Sequence, residues 1–187
     1  MKIKHPLLLR IFLALIVLSI MSGLIFFSSK SMLKSLYPLR YTEFVEMYSE
    51  ENNLSEDFVF AVIKCESSFQ SDAVSSVGAR GLMQIMPDTF DWIKGRLKDD
   101  IQYDDMFNAE NNIQYGCHLY GYLMERYESE ELAIAAYHAG MGNVDKWLKN
   151  DEYSEDGKSL SNIPFPSTRK YVAKVIETKK IYEKLYK

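Results

Sequence analysis

Apolar residues recur at helical spacing over almost the whole chain after residue 41. No window shows sustained alternation of apolar and polar residues, which would be the pattern of a half-buried strand. No internal repeat is visible in the sequence. The pattern therefore predicts an all-α domain over residues 41–187.

The segment from Ser55 to Glu66 carries the clearest helical pattern. Ser55 can cap free backbone amides, and the two acidic residues after it lie where the helix dipole favours negative charge. Phe58 and Val62 belong to an apolar face, and Glu66 follows Val62 by one turn on the same side. We expect the Glu66 carboxyl to lie at the edge of that face, where desolvation raises its pKa and makes it a candidate proton donor. An ordinary solvated helix acid is the alternative that this pattern leaves open.

Capping residues and turns predict where the other helices begin. The predicted starts are Thr42, Asp88 after Pro87, Asn108, Ser129 and Thr168. Gly140 and Gly142 are expected to end the helix that begins at Ser129, and a short helix around Trp147 follows. The small and polar residues 67–81 predict a loop that lies across the acid.

The amino-terminal part of the chain has a different pattern. An apolar run at residues 11–27 contains no charge and is preceded by three basic residues. As a helix this run is roughly 25 Å long, and the apolar residues before it can extend it toward the ~30 Å of a bilayer core. A cleaved signal peptide is the alternative, but the run lacks the small-x-small ending that signal cleavage needs. The predicted division is a cytoplasmic tail at 1–10, a transmembrane anchor at 11–27, a basic stalk at 28–40 and the domain at 41–187.

Charge is distributed unevenly along the chain. Six of the 22 Lys and Arg residues lie at or before residue 40, which leaves 16 basic against 26 acidic residues in the rest of the chain. Nucleic-acid binding needs clustered positive charge, so we expect no nucleic-acid partner. With 187 residues and 47% hydrophobic content, the chain is long enough to bury one core.

The cysteines and histidines form no pattern typical of a metal site. The three histidines are isolated from one another, and no glycine-rich phosphate loop is present, so we expect neither a metal nor a cofactor. Cys65 and Cys117 permit one disulfide if the domain is exported. Each could equally be a small buried apolar residue.

Four stretches occur together in a characteristic order. They are Glu66-Ser67 followed by SSVGARGLMQIMP from Ser75, NNIQYG from Asn111, AAYHAG from Ala135, and IPFPSTRKYV from Ile163. Together they resemble the catalytic core of the lytic transglycosylases of the soluble, goose-lysozyme-like type, which cleave the glycan strands of peptidoglycan. The resemblance implies a lysozyme-like helical fold and spans nearly all of the chain after residue 41.

The resemblance also implies a set of site residues. In that family the glutamate at the position of Glu66 is the sole essential acid and base, and the serine at Ser67 belongs to the same signature. Ser75, Gln84 and Met86 match residues that line the cleft and contact the saccharide or shape its floor. We therefore expect Glu66 to be catalytic and the other four residues to bind substrate.

The AAYHAG and IPFPSTRKYV stretches add one more site residue and two departures. Tyr137 matches a tyrosine close to the acid, whose hydroxyl can orient the carboxyl, and we expect it to join the substrate-binding residues. His138 stands where the family usually has asparagine, and it can charge near pH 6.5, so activity can gain a pH dependence. Ser167 stands where the family has glutamate and keeps a hydroxyl but no charge, which puts that group's contribution to the cleft in doubt.

The function implied by the resemblance is that of a membrane-anchored lytic transglycosylase with its catalytic domain on the extracytoplasmic side. Such an enzyme cleaves the β-1,4 bond between N-acetylmuramic acid and N-acetylglucosamine and leaves 1,6-anhydromuramic ends. Two alternatives stay open, a hydrolytic muramidase and a wall-binding scaffold without chemistry. The expected partners are peptidoglycan strands and the membrane.

Overall fold

The computed structural model describes the backbone of residues 6–187. Side chains of residues 1–9, 11, 20 and 22–29 lie outside the described set. The chain divides into two compact units, Met1–Pro38 and Leu39–Lys187.

The first unit contains one helix, α1, over Pro6–Leu36. The predicted anchor at 11–27 falls within α1, but residues 11, 20 and 22–27 of it lie outside the side chains that are described. Among the described residues, no helix has a stretch both long and apolar enough to cross a membrane, although the sequence predicts one here.

The second unit is built from seven α-helices and one short 3-10 helix. They are α2 (Thr42–Glu51), α3 (Glu56–Glu66), α4 (Pro87–Leu97), the 3-10 helix (Tyr103–Phe107), α5 (Ala109–Tyr127), α6 (Glu130–Ala139), α7 (Met141–Leu148) and α8 (Pro166–Tyr186). The described residues hold two isolated β-bridges and no extended strand. The all-α prediction is confirmed.

Three helix starts are fixed by the side chains that the sequence predicts as caps. The hydroxyl of Ser55 accepts from the Phe58 amide at 3.3 Å, and that of Ser129 accepts from the Leu132 amide at 3.4 Å. The side-chain oxygen Oδ1 of Asn108 accepts from the Asn111 amide at 3.1 Å. Each bond satisfies a donor that the first turn of a helix leaves free.

Other predicted boundaries are wrong by one or two residues. Thr42 is already helical, and the preceding Tyr41 turns the chain with a φ of 59°. Helices α4 and α8 begin at Pro87 and Pro166, because the fixed φ of proline suits the first helical position. Gly140 ends α6 as expected, but Gly142 lies inside α7.

Helix α3 is the centre of the second unit. It packs against α8 and α2, and α6 packs against α5, α7 and α8. Positions 57–63 of α3 are all buried, so the helix is enclosed on more sides than the single apolar face predicted from the sequence. Its last residue is Glu66, and the enclosure of α3 carries that carboxyl into the interior.

The segment after α3 is held by one buried asparagine, Asn112 of α5. Its side-chain nitrogen Nδ2 donates to the backbone carbonyls of Arg80 at 2.9 Å and Met106 at 2.8 Å. Its side-chain oxygen Oδ1 accepts from the Met83 backbone amide at 2.7 Å. Gly81 makes this approach possible, because a Cβ at that position would collide with Asn112. The φ of Gly81 is +77°, a backbone conformation that glycine adopts without strain. The loop is therefore locked to α5 and not free over the site.

Candidate active site

Glu66 is a half-buried carboxyl at the carboxyl end of α3. Burial raises its pKa from 4.5 to about 7, against the opposing effects of a hydrogen bond from Tyr171 and the positive charge of Lys174. Its place in the last turn acts in the same direction as burial, because that end of a helix carries partial negative charge. The carboxyl is therefore still protonated in a large fraction of molecules near neutral pH.

The hydrogen-bond partner of Glu66 is Tyr171 of α8, whose hydroxyl donates to the carboxyl oxygen Oε1. Behind it, the Tyr120 hydroxyl lies 3.4 Å from that of Tyr171. Because Tyr171 donates to Glu66, the hydrogen between the two tyrosines belongs to Tyr120. A fully buried tyrosine thus orients the hydroxyl that contacts the acid.

Tyr137 does not have the contact that the sequence led us to expect. Its hydroxyl donates to the Met83 carbonyl at 2.6 Å, while its ring stacks on Tyr120 with centroids 4.1 Å apart. It joins the Glu66 site to the loop and does not hold the carboxyl itself. Tyr120, Tyr137 and Tyr171 form a continuous group, called here the tyrosine cluster.

Two of the predicted substrate-binding residues make internal bonds within the loop. The Ser75 hydroxyl accepts from the Ala79 amide at 3.0 Å, which closes the turn around Gly78. The Gln84 amide donates to the carbonyls of Gly81 at 2.9 Å and Ala73 at 3.2 Å. Both side chains shape the loop, and their contact with a saccharide stays a prediction.

The other two differ in exposure. Ser67 is buried, and its hydroxyl donates to the Ile63 carbonyl one turn back at 3.3 Å. Met86 is 37% exposed just before α4. Met86 therefore has an apolar surface open to solvent, whereas Ser67 terminates the helix that carries the acid, and contact of either with a saccharide stays a prediction.

The two departures from the family pattern lie in different surroundings. His138, at the end of α6, places Nδ1 3.0 Å from the Thr168 hydroxyl and its ring 4.7 Å from that of Tyr171. Ser167 is exposed in the first turn of α8. His138 therefore reaches the acid's partner, and Ser167 supplies no carboxylate.

The cysteines are both free thiols. The Cys65 sulfur lies 3.6 Å from the Thr178 hydroxyl, and Cys117 is fully buried. The disulfide that the sequence permits is not formed. In the part of the chain that the structure describes, no group of three His, Cys, Asp or Glu side chains could hold a metal ion.

The arrangement can donate one proton and take one back. The Lys174 ammonium group lowers the pKa of Glu66, against the larger effect of burial. Most glycosidases place two carboxyls about 5 to 9.5 Å apart to share the acid and base roles. Glu66 is the carboxyl at this site whose raised pKa suits it to give up a proton and then to take one back.

Sequence reasoning missed Tyr171 and Tyr120 as site residues because it placed both on apolar helix faces. The available signal was the motif IPFPSTRKYV, in which Tyr171 follows Thr168 by three residues and so shares its side of α8. A polar tip on an otherwise apolar stripe is typical of a tyrosine that bonds a buried partner.

Comparison with known proteins places this chain in a family. A family model described as the transglycosylase SLT domain matches residues 43–160, more than half of the chain. The soluble lytic murein transglycosylase of Salmonella typhimurium is 32% identical over 148 residues, which cover 77% of this chain and 23% of that protein. The membrane-bound lytic murein transglycosylase C of Edwardsiella ictaluri is 26% identical over 174 residues, covering 78% and 47%.

The likeness extends to three dimensions. The crystal structure of the 70 kDa soluble lytic transglycosylase from Escherichia coli matches with a TM-score of 0.72 and 27% identity, over 81% of this chain and 25% of that one. The predicted lysozyme-like helical fold is thereby confirmed. The chain spans about a quarter of the length of the curated soluble relatives. It belongs to the transglycosylase SLT domain family.

Proposed function

We propose that the protein is a peptidoglycan lytic transglycosylase that cleaves the β-1,4 bond between N-acetylmuramic acid and N-acetylglucosamine. The observation that carries the proposal is the Glu66 carboxyl, whose pKa is raised to about 7 by burial. A proton donor for a glycosidic oxygen must hold its proton near neutral pH, and this one does. The names of the related proteins support the same activity.

The reaction begins when Glu66 gives its proton to the bridging oxygen and the bond from that oxygen to C1 of the muramic sugar breaks. Tyr171 donates to the carboxyl and stabilises the carboxylate that remains. The oxocarbenium-like centre at C1 is then relieved by the sugar's own N-acetyl oxygen. The C6 hydroxyl attacks C1, Glu66 takes the C6 proton, and a 1,6-anhydromuramic end forms.

A hydrolytic muramidase differs only in the group that attacks C1. Water would have to be activated by a base, and Glu66 is the carboxyl whose raised pKa suits that step. A non-catalytic wall-binding scaffold is the other alternative, and the departures at His138 and Ser167 favour it. The presence of Glu66 with its raised pKa opposes it.

Release of fragments from insoluble peptidoglycan separates enzyme from scaffold. We expect residues 39–187 to clear a suspension of purified peptidoglycan and release soluble muropeptides. The matched Glu66→Gln variant keeps the shape and hydrogen bonding of the side chain but has no proton to transfer. It should bind pelleted peptidoglycan as the unmodified domain does and release nothing. Binding without release by the unmodified domain would favour the scaffold.

We propose further that residues 11–27 anchor the protein in a membrane with the catalytic domain on the extracytoplasmic side. The support is the uncharged apolar run in the sequence and the membrane-bound name of one group of relatives. The full chain should stay with membranes after alkaline carbonate extraction. A Leu18→Arg variant places a charge at the middle of the run and should be extracted more readily. Full extraction of the unmodified chain would contradict the anchor.

A further inference from the structure

His138 contacts two residues one turn apart on α8. Its Nδ1 lies 3.0 Å from the Thr168 hydroxyl, and its ring lies 4.7 Å from the Tyr171 ring at an interplanar angle of 31°. Thr168 is only 1% exposed, so the hydroxyl that fixes the imidazole is itself immobilised in the core. The imidazole is thereby held against one face of Tyr171.

Tyr171 is constrained from more than one direction. Its hydroxyl donates to Glu66 and lies 3.4 Å from the Tyr120 hydroxyl, while its ring has His138 beside it. The hydroxyl oxygen of a tyrosine lies on the χ2 axis, so rotation about χ1 is what moves it, and a side chain packed against the ring limits that rotation. The Tyr120 contact restrains the hydroxyl of Tyr171, and the tilted His138 ring restrains its aromatic ring.

We propose that His138 is a positioning residue whose imidazole, packed against the Tyr171 ring and bonded to Thr168, holds the Tyr171 hydroxyl against the Glu66 carboxyl. The inference rests on the proposed function, because it assigns His138 to the machinery of the same acid. His138 touches neither the substrate nor the carboxyl in this role and acts through Tyr171 alone.

The contact works through the shape of the ring and not through its charge. Partial desolvation lowers the pKa of His138, whose residue stays exposed to solvent on its other side, so the imidazole is neutral near neutral pH. Tyr171 is the titratable side chain in ring contact with His138, and Glu66 and Tyr120 lie beyond the Tyr171 hydroxyl.

The test follows the pKa of Glu66 and the cleavage rate together in variants of His138. In His138→Ala the Tyr171 hydroxyl loses its restraint and bonds Glu66 less well. That bond lowers the pKa of Glu66, so the pKa should rise by about 1, as expected for weakening one hydrogen bond to a charged group. Titration of the Glu66 carboxyl by carbon NMR measures this without substrate. We expect kcat to fall roughly tenfold with KM unchanged.

The sign of the pKa change separates positioning from a merely structural role. If His138 only excluded water, His138→Ala would hydrate Glu66 and lower its pKa, since burial is what raises it. His138→Phe keeps a ring against Tyr171 and should recover the pKa and most of kcat. His138→Asn keeps a polar partner for Thr168 but no ring, and it should behave like His138→Ala. If His138→Asn recovers the Glu66 pKa and kcat and His138→Phe does not, the ring contact with Tyr171 is not what positions the hydroxyl.

His118→Ala is the matched control. His118 lies on α5, lining a separate cleft with Arg96 and Glu51, and should leave the pKa of Glu66 and kcat unchanged. If His138→Ala does not fold, the Phe and Asn variants give the same comparison. If the wild type is inactive but His138→Ala still raises the pKa of Glu66, the proposed function is wrong and the positioning role stands. An active wild type in which His138→Ala changes neither value would overturn the positioning alone.

Discussion

Helix α3 carries an enclosed carboxyl at each end, and the two have opposite surroundings. Asp57, in the first turn, is 8% exposed and pairs with the Lys187 ammonium group. Free backbone amides of that turn also favour its negative charge. Glu66, in the last turn, has a neutral tyrosine as its hydrogen-bond partner and lies at the negative end of the helix.

The contrast shows that burial alone does not make a proton donor. Asp57 has an ion-pair partner and a helix amino end beside it. Glu66 lies at the carboxyl end of the helix, and burial raises its pKa to about 7 in spite of the positive charge of Lys174. The same helix thus separates a structural acid from a chemical one by the polarity of its two ends.

Moving each carboxyl by one methylene gives the largest expected difference between the two ends. Glu66→Asp should lower kcat/KM by about 100-fold or more, because a displacement of about 1 Å misaligns the proton with the glycosidic oxygen. Asp57→Glu, the matched change at the other end, should leave the rate of muropeptide release within about twofold. Equal losses in both variants would place the chemistry elsewhere.

The dependence of stability on pH sharpens the contrast in thermodynamic terms. Since the folded-state pKa of Glu66 is raised from 4.5 to about 7, the folded protein binds more protons than the unfolded chain between these values. Stability should therefore fall as pH rises through that window, by up to about 3 kcal/mol from this group. Urea unfolding of wild type and Glu66→Gln at pH 4 and pH 8 measures it. The free energy of unfolding of Glu66→Gln should increase relative to that of the wild type only at pH 8. The same difference between the two proteins at both pH values would contradict the raised pKa.

The hydrogen bond from Tyr171 to Glu66 can be removed by deleting a single oxygen atom. Tyr171→Phe keeps the ring but deletes the donor, so we expect kcat to fall about 10-fold or more. The pKa of Glu66 should rise further, because the lost bond lowers it, and the high-pH limb of the activity profile should move upward. Tyr137→Phe is the control, since its hydroxyl donates to the Met83 carbonyl and not to the acid. A larger loss of rate in Tyr137→Phe would reverse the assignment.

Much of this contrast could be predicted from sequence, because its determinants are local. Ser55 and the acidic first turn mark the start of α3, and Glu66 falls one turn beyond a buried position. The partners were not predictable in the same way. Tyr171 lies 105 residues from Glu66 along the chain, and its contact exists only because α8 packs on α3.

The same limit explains the misassigned tyrosine and the unnoticed asparagine. Tyr137 is near the acid in the family motif, but which hydroxyl reaches the carboxyl depends on ring positions set by three helices. Asn112 lies in the motif NNIQYG, where nothing local signals that its amide holds a loop 29 to 32 residues away. Helix starts at prolines were missed for a simpler reason, because a cap was sought after each proline instead of before it.

The smallest expected effect is at the structural end of α3. Asp57→Asn keeps the shape of the side chain but removes the charge that faces the helix amides and Lys187. We expect a loss of about 0.5 to 1 kcal/mol in the free energy of unfolding, reduced at about 0.5 M salt, with no change in cleavage rate. Urea unfolding at low and high salt checks it. A salt-independent loss would show that packing of the side chain dominates.

The origin of the oxygen on the cleaved muramic end tests most directly whether Glu66 works alone. Purified peptidoglycan is digested with the wild-type protein in water enriched in heavy oxygen, and the early fragments are analysed by mass spectrometry. With a single carboxyl serving as acid and then base, the fragments should carry 1,6-anhydromuramic ends and no label. Reducing muramic ends that contain the heavy oxygen would contradict this, because they require a second group that activates water.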